Sequence, residues 1–242
     1  RSGSGFTDDN TSTTLGGDGS GSLTGRGNLI VGYAEGSGVS RTGSHNLILG
    51  TANEWTSYGA AVFGRRNEST APYASVLGGQ ENSAGELSAT IGGGRLNTVT
   101  GAYAWIGGGR SNDATGEEAA VLGGFQNDAS TSYAVVAGGQ GNRASGVSSS
   151  VLGGNQNTAG AQYAVIASGF QNTANNSYSA IFAGRLNTTN ANYAAVLGGQ
   201  SNEARGTYSA ILGGRNNDVR GANSTIYGGN GESESADDSF AP

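Results

Sequence analysis

A branched aliphatic residue returns at every fifteenth position: Val76, Ile91, Ile106, Val121, Val136, Val151, Ile166, Ile181, Val196, Ile211 and Ile226. An asparagine keeps the same spacing nine residues ahead of each: Asn67, Asn82, Asn97, Asn112, Asn127, Asn142, Asn157, Asn172, Asn187, Asn202 and Asn217. A glycine stands three residues before each asparagine, from Gly64 to Gly214, with one more in phase at Gly229. Counting each Asn as position 0, polar residues fill +1 and +3 around a small residue at +2, while +7 is Ala or Ser and +9 is Val or Ile. Alternation of period two marks strands, and the Gly and Asn punctuation leaves room for two short strands and two tight turns per unit and for no helix. An unbroken period of this length means that equal units stack on one another. The expected fold is all-β: a parallel β-solenoid or β-roll of about sixteen coils, each paired in register with the next at roughly 4.8 Å spacing. The rows at 0, +2, +7, +9 and +11 are expected to face inward.

The pattern also divides the chain. Residues 62–229 carry the regular fifteen-residue unit, as in VLGGQSNEARGTYSA from Val196 to Ala210. Residues 14–61 hold looser coils, with TLGG at 14–17, LIVG at 29–32 and LILG at 47–50 at unequal spacings, so insertions are expected in loops there. A polar segment, 1–13, precedes them, and an acidic tail, 230–242, follows.

One strand departs from simple alternation. Its outward positions +8 and +10 include Leu77, Trp105, Leu122, Val135, Leu152, Val165, Phe182, Leu197, Leu212 and Tyr227, so both of its faces are apolar. That is expected of a strand covered on both sides. A lone chain would expose a stripe larger than soluble monomers usually show. The stripe therefore predicts a homo-oligomer, with a trimeric rod as the expected form and those ten residues as its interface. Coils without an amphipathic cap would also expose unpaired strand edges, so end-to-end contacts are expected, with Phe6 and Phe240 as the apolar anchors.

Composition narrows the function classes. The net charge of -6 with a pI near 4.7, and twelve basic residues that form no continuous track, argue against nucleic acid and anionic membrane surfaces as partners. No apolar run approaches the roughly 18 residues that a membrane-spanning helix needs. The chain has no Cys and no Met, which excludes a disulfide framework and thiolate metal sites and suits an oxidising, extracellular setting. Arg1 in place of an initiator Met points to a processed chain or an excised fragment.

The motif Gly-x-x-Asn-x-Ala, as in Gly124 to Ala129 and Gly199 to Ala204 with the aliphatic residue before it, resembles the head repeats of trimeric autotransporter adhesins, the YadA-like head. The resemblance covers 14–229. It implies a left-handed parallel β-roll, a homotrimer and an adhesive role at a cell surface; the unit here is fifteen residues where that family's is typically fourteen, by an extra Gly. Similar repeats in phage tail fibres imply the alternative of a receptor-binding fibre segment on a virion.

The periodic rows have competing chemistries. Stacked Asn amides either bond to one another and to turn backbone or form a comb for glycans or ions; the structural ladder is the expected role. Tyr73, Tyr103, Tyr133, Tyr163 and Tyr193, with Tyr178 and Tyr208 between, stand at +6 and read as a brace at a turn, with sugar binding as the alternative. Catalysis finds little footing: His45 is the one imidazole, no Ser stands in a nucleophile elbow, and the carboxylate pairs Asp8 with Asp9, Glu117 with Glu118 and Asp237 with Asp238 are sequence neighbours on polar stretches. A glycan-processing solenoid enzyme is the alternative from another class. Ice binding is disfavoured because the +1 and +3 rows, such as Asp113 with Thr115 and Arg143 with Ser145, are not regularly threonine. The resulting expectation is a non-enzymatic, extracellular structural or adhesive protein that needs no cofactor or metal. Its partners would be copies of itself and a host or environmental glycan or protein surface.

Overall fold

The computed structural model describes residues 27–32 and 40–241, so Phe6 and the expected coil at 14–17 lie outside the described residues. The chain divides into two compact units, 1–118 and 119–242. The described residues hold no helix and form a parallel β-solenoid of about 14 turns with a repeat of about fifteen residues.

In the first unit, one sheet runs through Leu29–Val31, Leu47–Thr51, Ala61–Arg65, Ser75–Val76, Thr90–Ile91 and Trp105–Ile106. The other runs through Glu54–Trp55, Glu68–Ser69, Ser83–Ala84, Thr98–Val99 and Asp113–Ala114. The second unit repeats the plan, one sheet running from Ala120–Val121 to Phe240–Ala241 and the other from Asp128–Ala129 to Ser233–Glu234. Every pairing is parallel and one coil deep: Val136 pairs with Val151, Val151 with Ile166 and Ile166 with Ile181. A third, one-residue-wide ladder joins the residues at -2, from Phe125 through Gln140, Asn155 and Phe170 to Arg185. The early coils take other steps: Leu47 pairs with Ala61 and Val62 with Val76, fourteen apart, and Leu29 with Leu47, eighteen apart.

The interior is thin. Val and Ile at +9 are fully buried and face Ala at +2, with Ala or Ser at +7 and Asn at 0 closing the corners. Each buried aliphatic side chain contributes about 1.5–3 kcal/mol, and one per coil keeps the stack together with few aromatics inside. Trp55 is the exception, a buried indole at +2 of an early coil, with the Arg41 guanidinium 5.6 Å from its ring centre.

The row at +11 does not face inward as expected. Ser168 and Ala183 are exposed there, because each strand is only two residues long and the backbone turns outward after +10. The acidic segment after Gly229 carries one more coil. Ser233–Glu234 pairs with Asp218–Val219, and Phe240–Ala241 with Thr225–Ile226.

Candidate functional site

The corner before each ladder Asn is built from three residues. Gly139 has φ of 90°, and a Cβ on it would stand 2.1 Å from the Gly154 carbonyl oxygen and 2.5 Å from Asn142 Nδ2. Only glycine fits such a position. The next residues leave the corner through a left-handed residue at -1, such as Gln126, Gln156 or Gln171 at φ of 54–56°. The Asn side chain then ties the corner down. Asn142 Nδ2 donates to the Gly138 carbonyl at 2.8 Å and to the Gly154 carbonyl of the next coil at 2.9 Å. Its Oδ1 accepts the Asn157 backbone N–H at 3.0 Å and the Asn157 side-chain N–H at 3.2 Å. The three bonds to backbone recur at Asn157 and Asn202, and the ladder amides are buried. Their hydrogen-bonding groups are spent on backbone, which leaves none for a glycan or ion.

Sequence spacing missed one rung. Asn53 Oδ1 accepts the Asn67 backbone N–H at 3.0 Å, although the two stand fourteen residues apart. At the other end, Asn217 Oδ1 accepts the backbone N–H of Glu232, which occupies the next Asn position. Asn28 and Asn46 make a separate short ladder at the +7 corner, where Asn46 N–H donates to Asn28 Oδ1 at 2.8 Å and Ala60 N–H to Asn46 Oδ1 at 2.8 Å. The shared Asn-Leu-Ile sequence at both sites was the available signal.

The tyrosines at +6 turn the opposite corner. Tyr163, Tyr178, Tyr193 and Tyr208 hold φ of 57–60°, a conformation that bulky residues seldom adopt. Their rings stack at centroid separations of 4.8, 5.0 and 4.7 Å with interplanar angles of 27°, 8° and 9°. Aromatic pairs of this kind contribute about 0.5–1.5 kcal/mol each, which offsets much of the backbone strain. Between Tyr163 and Tyr208 the ring faces are taken by neighbouring rings, so sugar stacking has no free platform there.

Charge is segregated around the coil. From 132 to 229, positions +5 to +12 read SYAVVAGG, VSSSVLGG, QYAVIASG, SYSAIFAG, NYAAVLGG, TYSAILGG and ANSTIYGG, without one ionisable acid or base other than tyrosine; one coil earlier Glu117 and Glu118 hold +5 and +6. The ion pairs lie on the +1 and +3 side, where Arg143 pairs with Asp128 at 3.2 Å and Asp218 with Arg205 at 3.2 Å and Arg220 at 2.6 Å, while Arg185 and Arg215 stand at -2. Burial raises the Asp128 carboxyl above its ordinary value, against the pull of Arg143. The hydrogen bond from Arg205 lowers that of Glu203.

On the uncharged side of the second unit, Leu122, Leu152, Val165, Phe182, Leu197, Leu212 and Tyr227 stand 37–57 % exposed, while Val135 is half-buried. Leu77 and Trp105 are likewise exposed in the first unit. Phe240 is 68 % exposed on the last described coil. The other sequence candidates fall elsewhere: His45 is exposed with Ser44 Oγ 3.0 Å from its Nδ1, Glu117 and Glu118 are exposed, and Asp237 accepts the Ala222 N–H at 2.7 Å. Asp8 and Asp9 lie outside the described residues.

The glycine at +11, next to that apolar row, differs from its neighbour at +12. Added Cβ atoms on Gly108, Gly123, Gly138, Gly153, Gly198, Gly213 and Gly228 would meet nothing within 4 Å, and none of these glycines has a positive φ. This is the extra residue of the fifteen-residue unit, an outward corner for which the chain itself does not require glycine.

These features define a short-coil parallel β-solenoid repeat protein with one polar, charged side and one uncharged side. No protein-family model matches the chain, and no curated protein matches it significantly. No helix among the described residues is long and apolar enough to cross a membrane.

Proposed function

We propose that this is a non-enzymatic structural protein whose copies associate along the uncharged side into a homo-oligomeric rod, with a trimer as the favoured form. The observation that carries this reading is the complete loss of charge from an exposed face over consecutive coils, since depletion of charge marks the centre of protein interfaces. Area supports it. Half-exposed aromatic side chains leave on the order of 100 Å2 each, so Tyr133, Tyr163, Tyr178, Phe182, Tyr193, Tyr208 and Tyr227 alone present roughly 700 Å2. With the leucines the sum exceeds the ~800 Å2 per partner of a standard interface. The interior is consistent with a scaffold, because the buried ladder amides are tied to backbone groups of their own and neighbouring coils. An adhesive role outside the cell or on a virion fibre follows from the resemblance to adhesin head repeats, and end-to-end contact through Phe240 would lengthen such a rod.

The test is the mass in solution of the intact chain and of the Leu152→Asp/Leu197→Asp double variant, measured by light scattering. Both leucines point away from the interior, so the coil survives the change while charge is forced into the interface. The expected result is a multiple of the chain mass for the parent and dissociated or aggregated chains for the variant. An unchanged oligomer in the variant would refute the assignment of this face.

A further inference from the structure

On the reading that copies associate along the uncharged side, we infer that the corner glycines at +11, Gly123, Gly138, Gly153, Gly198 and Gly213, mark the line where a second copy comes closest. The argument begins with a requirement that the chain does not impose. At +12, Gly139 is fixed by a positive φ and by the Gly154 carbonyl 2.1 Å from any added Cβ. At +11, Gly138 has neither constraint, and an added Cβ would stand in open space. Even so, the position is glycine in coil after coil, and where it departs it becomes only Ser168 or Ala183.

A position that merely faced water would vary in size. The row at -2, exposed apart from the half-buried Phe125 and Asn155, does so, reading Phe125, Gln140, Asn155, Phe170, Arg185, Gln200 and Arg215. The +11 row does not, although both lie at the surface of the same coils. The size limit at +11 therefore comes from outside the chain.

The occupant is a second copy. The row runs beside the exposed Leu122, Leu152, Phe182, Leu197 and Leu212 at +10, on a face without charge whose area reaches interface scale. A partner of the same axial repeat, about 4.8 Å per coil, meets equivalent residues at every step, whereas a partner of any other period meets them once. In this arrangement the +10 side chains of one copy lie over the +11 glycines of the next. In the trimer favoured above this contact is heterologous, +10 of each copy on +11 of the next, and it forms a ring where the rotation closes.

The test replaces Gly138 and Gly153 together by Gln in the intact chain, with the Ala pair as a graded control, and reads mass by light scattering and fold by far-UV circular dichroism. The Gln variant is expected to keep the β-sheet spectrum and to associate at least tenfold more weakly than the parent. The Ala pair is expected to assemble nearly as the parent does, given Ala183. A Gln variant that keeps the parent's mass overturns the inference while leaving the assignment of the face intact. A parent that is a single chain at all concentrations overturns both. Loss of the β-sheet spectrum in the Gln variant overturns the premise that these glycines are free of demands from their own chain.

Discussion

Replacing Asn142 by Ala removes one rung from the middle of the ladder, and the cost can be worked from its partners. Three backbone groups lose a hydrogen bond: the Gly138 carbonyl, the Gly154 carbonyl and the Asn157 N–H. They do not suffer equally. The Gly154 carbonyl keeps the N–H of Gln140 at 3.0 Å, and Gly138 lies at a corner that water reaches. The Asn157 N–H is buried and is left without an acceptor, which costs about 1–3 kcal/mol. Adding about 0.5–1.5 kcal/mol for the two weakened carbonyls gives roughly 2–4 kcal/mol per chain. For a protein of this size the loss corresponds to a fall in melting temperature of roughly 5–15 °C. The matched control is Asn175→Ala, because that amide pairs with Asn190 on the exposed outer row and its loss is expected to cost within about 0.5 kcal/mol. Both variants and the parent are melted side by side by circular dichroism. Equal melting temperatures for N142A and N175A would show that the ladder does not stabilise the coil as its geometry requires.

Two further outcomes follow from local geometry. Gln156 holds a left-handed backbone at φ of 56°, and Gly141 fills the equivalent position one coil earlier, so Gln156→Gly is expected to stabilise the chain by about 1 kcal/mol, raising the melting temperature; a fall would contradict the strain assigned to that corner. The Glu203 carboxyl is lowered from 4.5 chiefly by its hydrogen bond with Arg205, so its contribution is fully present above pH 4.5 and is lost as pH falls through the lowered folded value. Glu203→Gln should therefore flatten the dependence of melting temperature on pH in the acid range, by a small amount because the pair faces solvent. An identical slope in parent and variant would count against the pairing.

The fold class was legible because one signal, the fifteen-residue period, dictates stacking whatever the chemistry of each side chain. The inward rows at 0, +2, +7 and +9 followed from alternation, and the Val and Ile rows are buried as alternation requires. Alternation failed at +11 because it holds only while backbone is extended, and these strands end after two residues. The last coil was hidden by composition. Glu232 stands where the ladder has Asn and Glu234 where it has Ala, yet Gly229 and the Phe240–Ala241 strand keep the spacing. Asn53 escaped because its step is fourteen residues, the shorter unit in which the corner lacks its extra glycine. The left-handed tyrosines gave no sign at all in the sequence, since Tyr is among the residues least expected at positive φ.

The paired glycines show what a periodic sequence leaves unsaid. Gly138 and Gly139 read alike, and each recurs in nearly every coil. Recurrence reports that a position is constrained without reporting by what. The structure separates the two: Gly139 is fixed by its own chain, through its φ and the next coil's carbonyl, whereas nothing within 4 Å explains Gly138. On the proposed reading, a repeated residue that the fold does not need reflects contact with a second copy, placed beside the exposed leucines of the uncharged face. The same logic applies to the charged side in reverse. There, residues at +1 and +3 vary between Asp, Arg, Thr, Ser and Asn from coil to coil, as positions do when only water answers them. Variation at +1 and +3 beside near-uniformity at +11, in coils that share one backbone, is the contrast on which the proposed contact with a second copy rests.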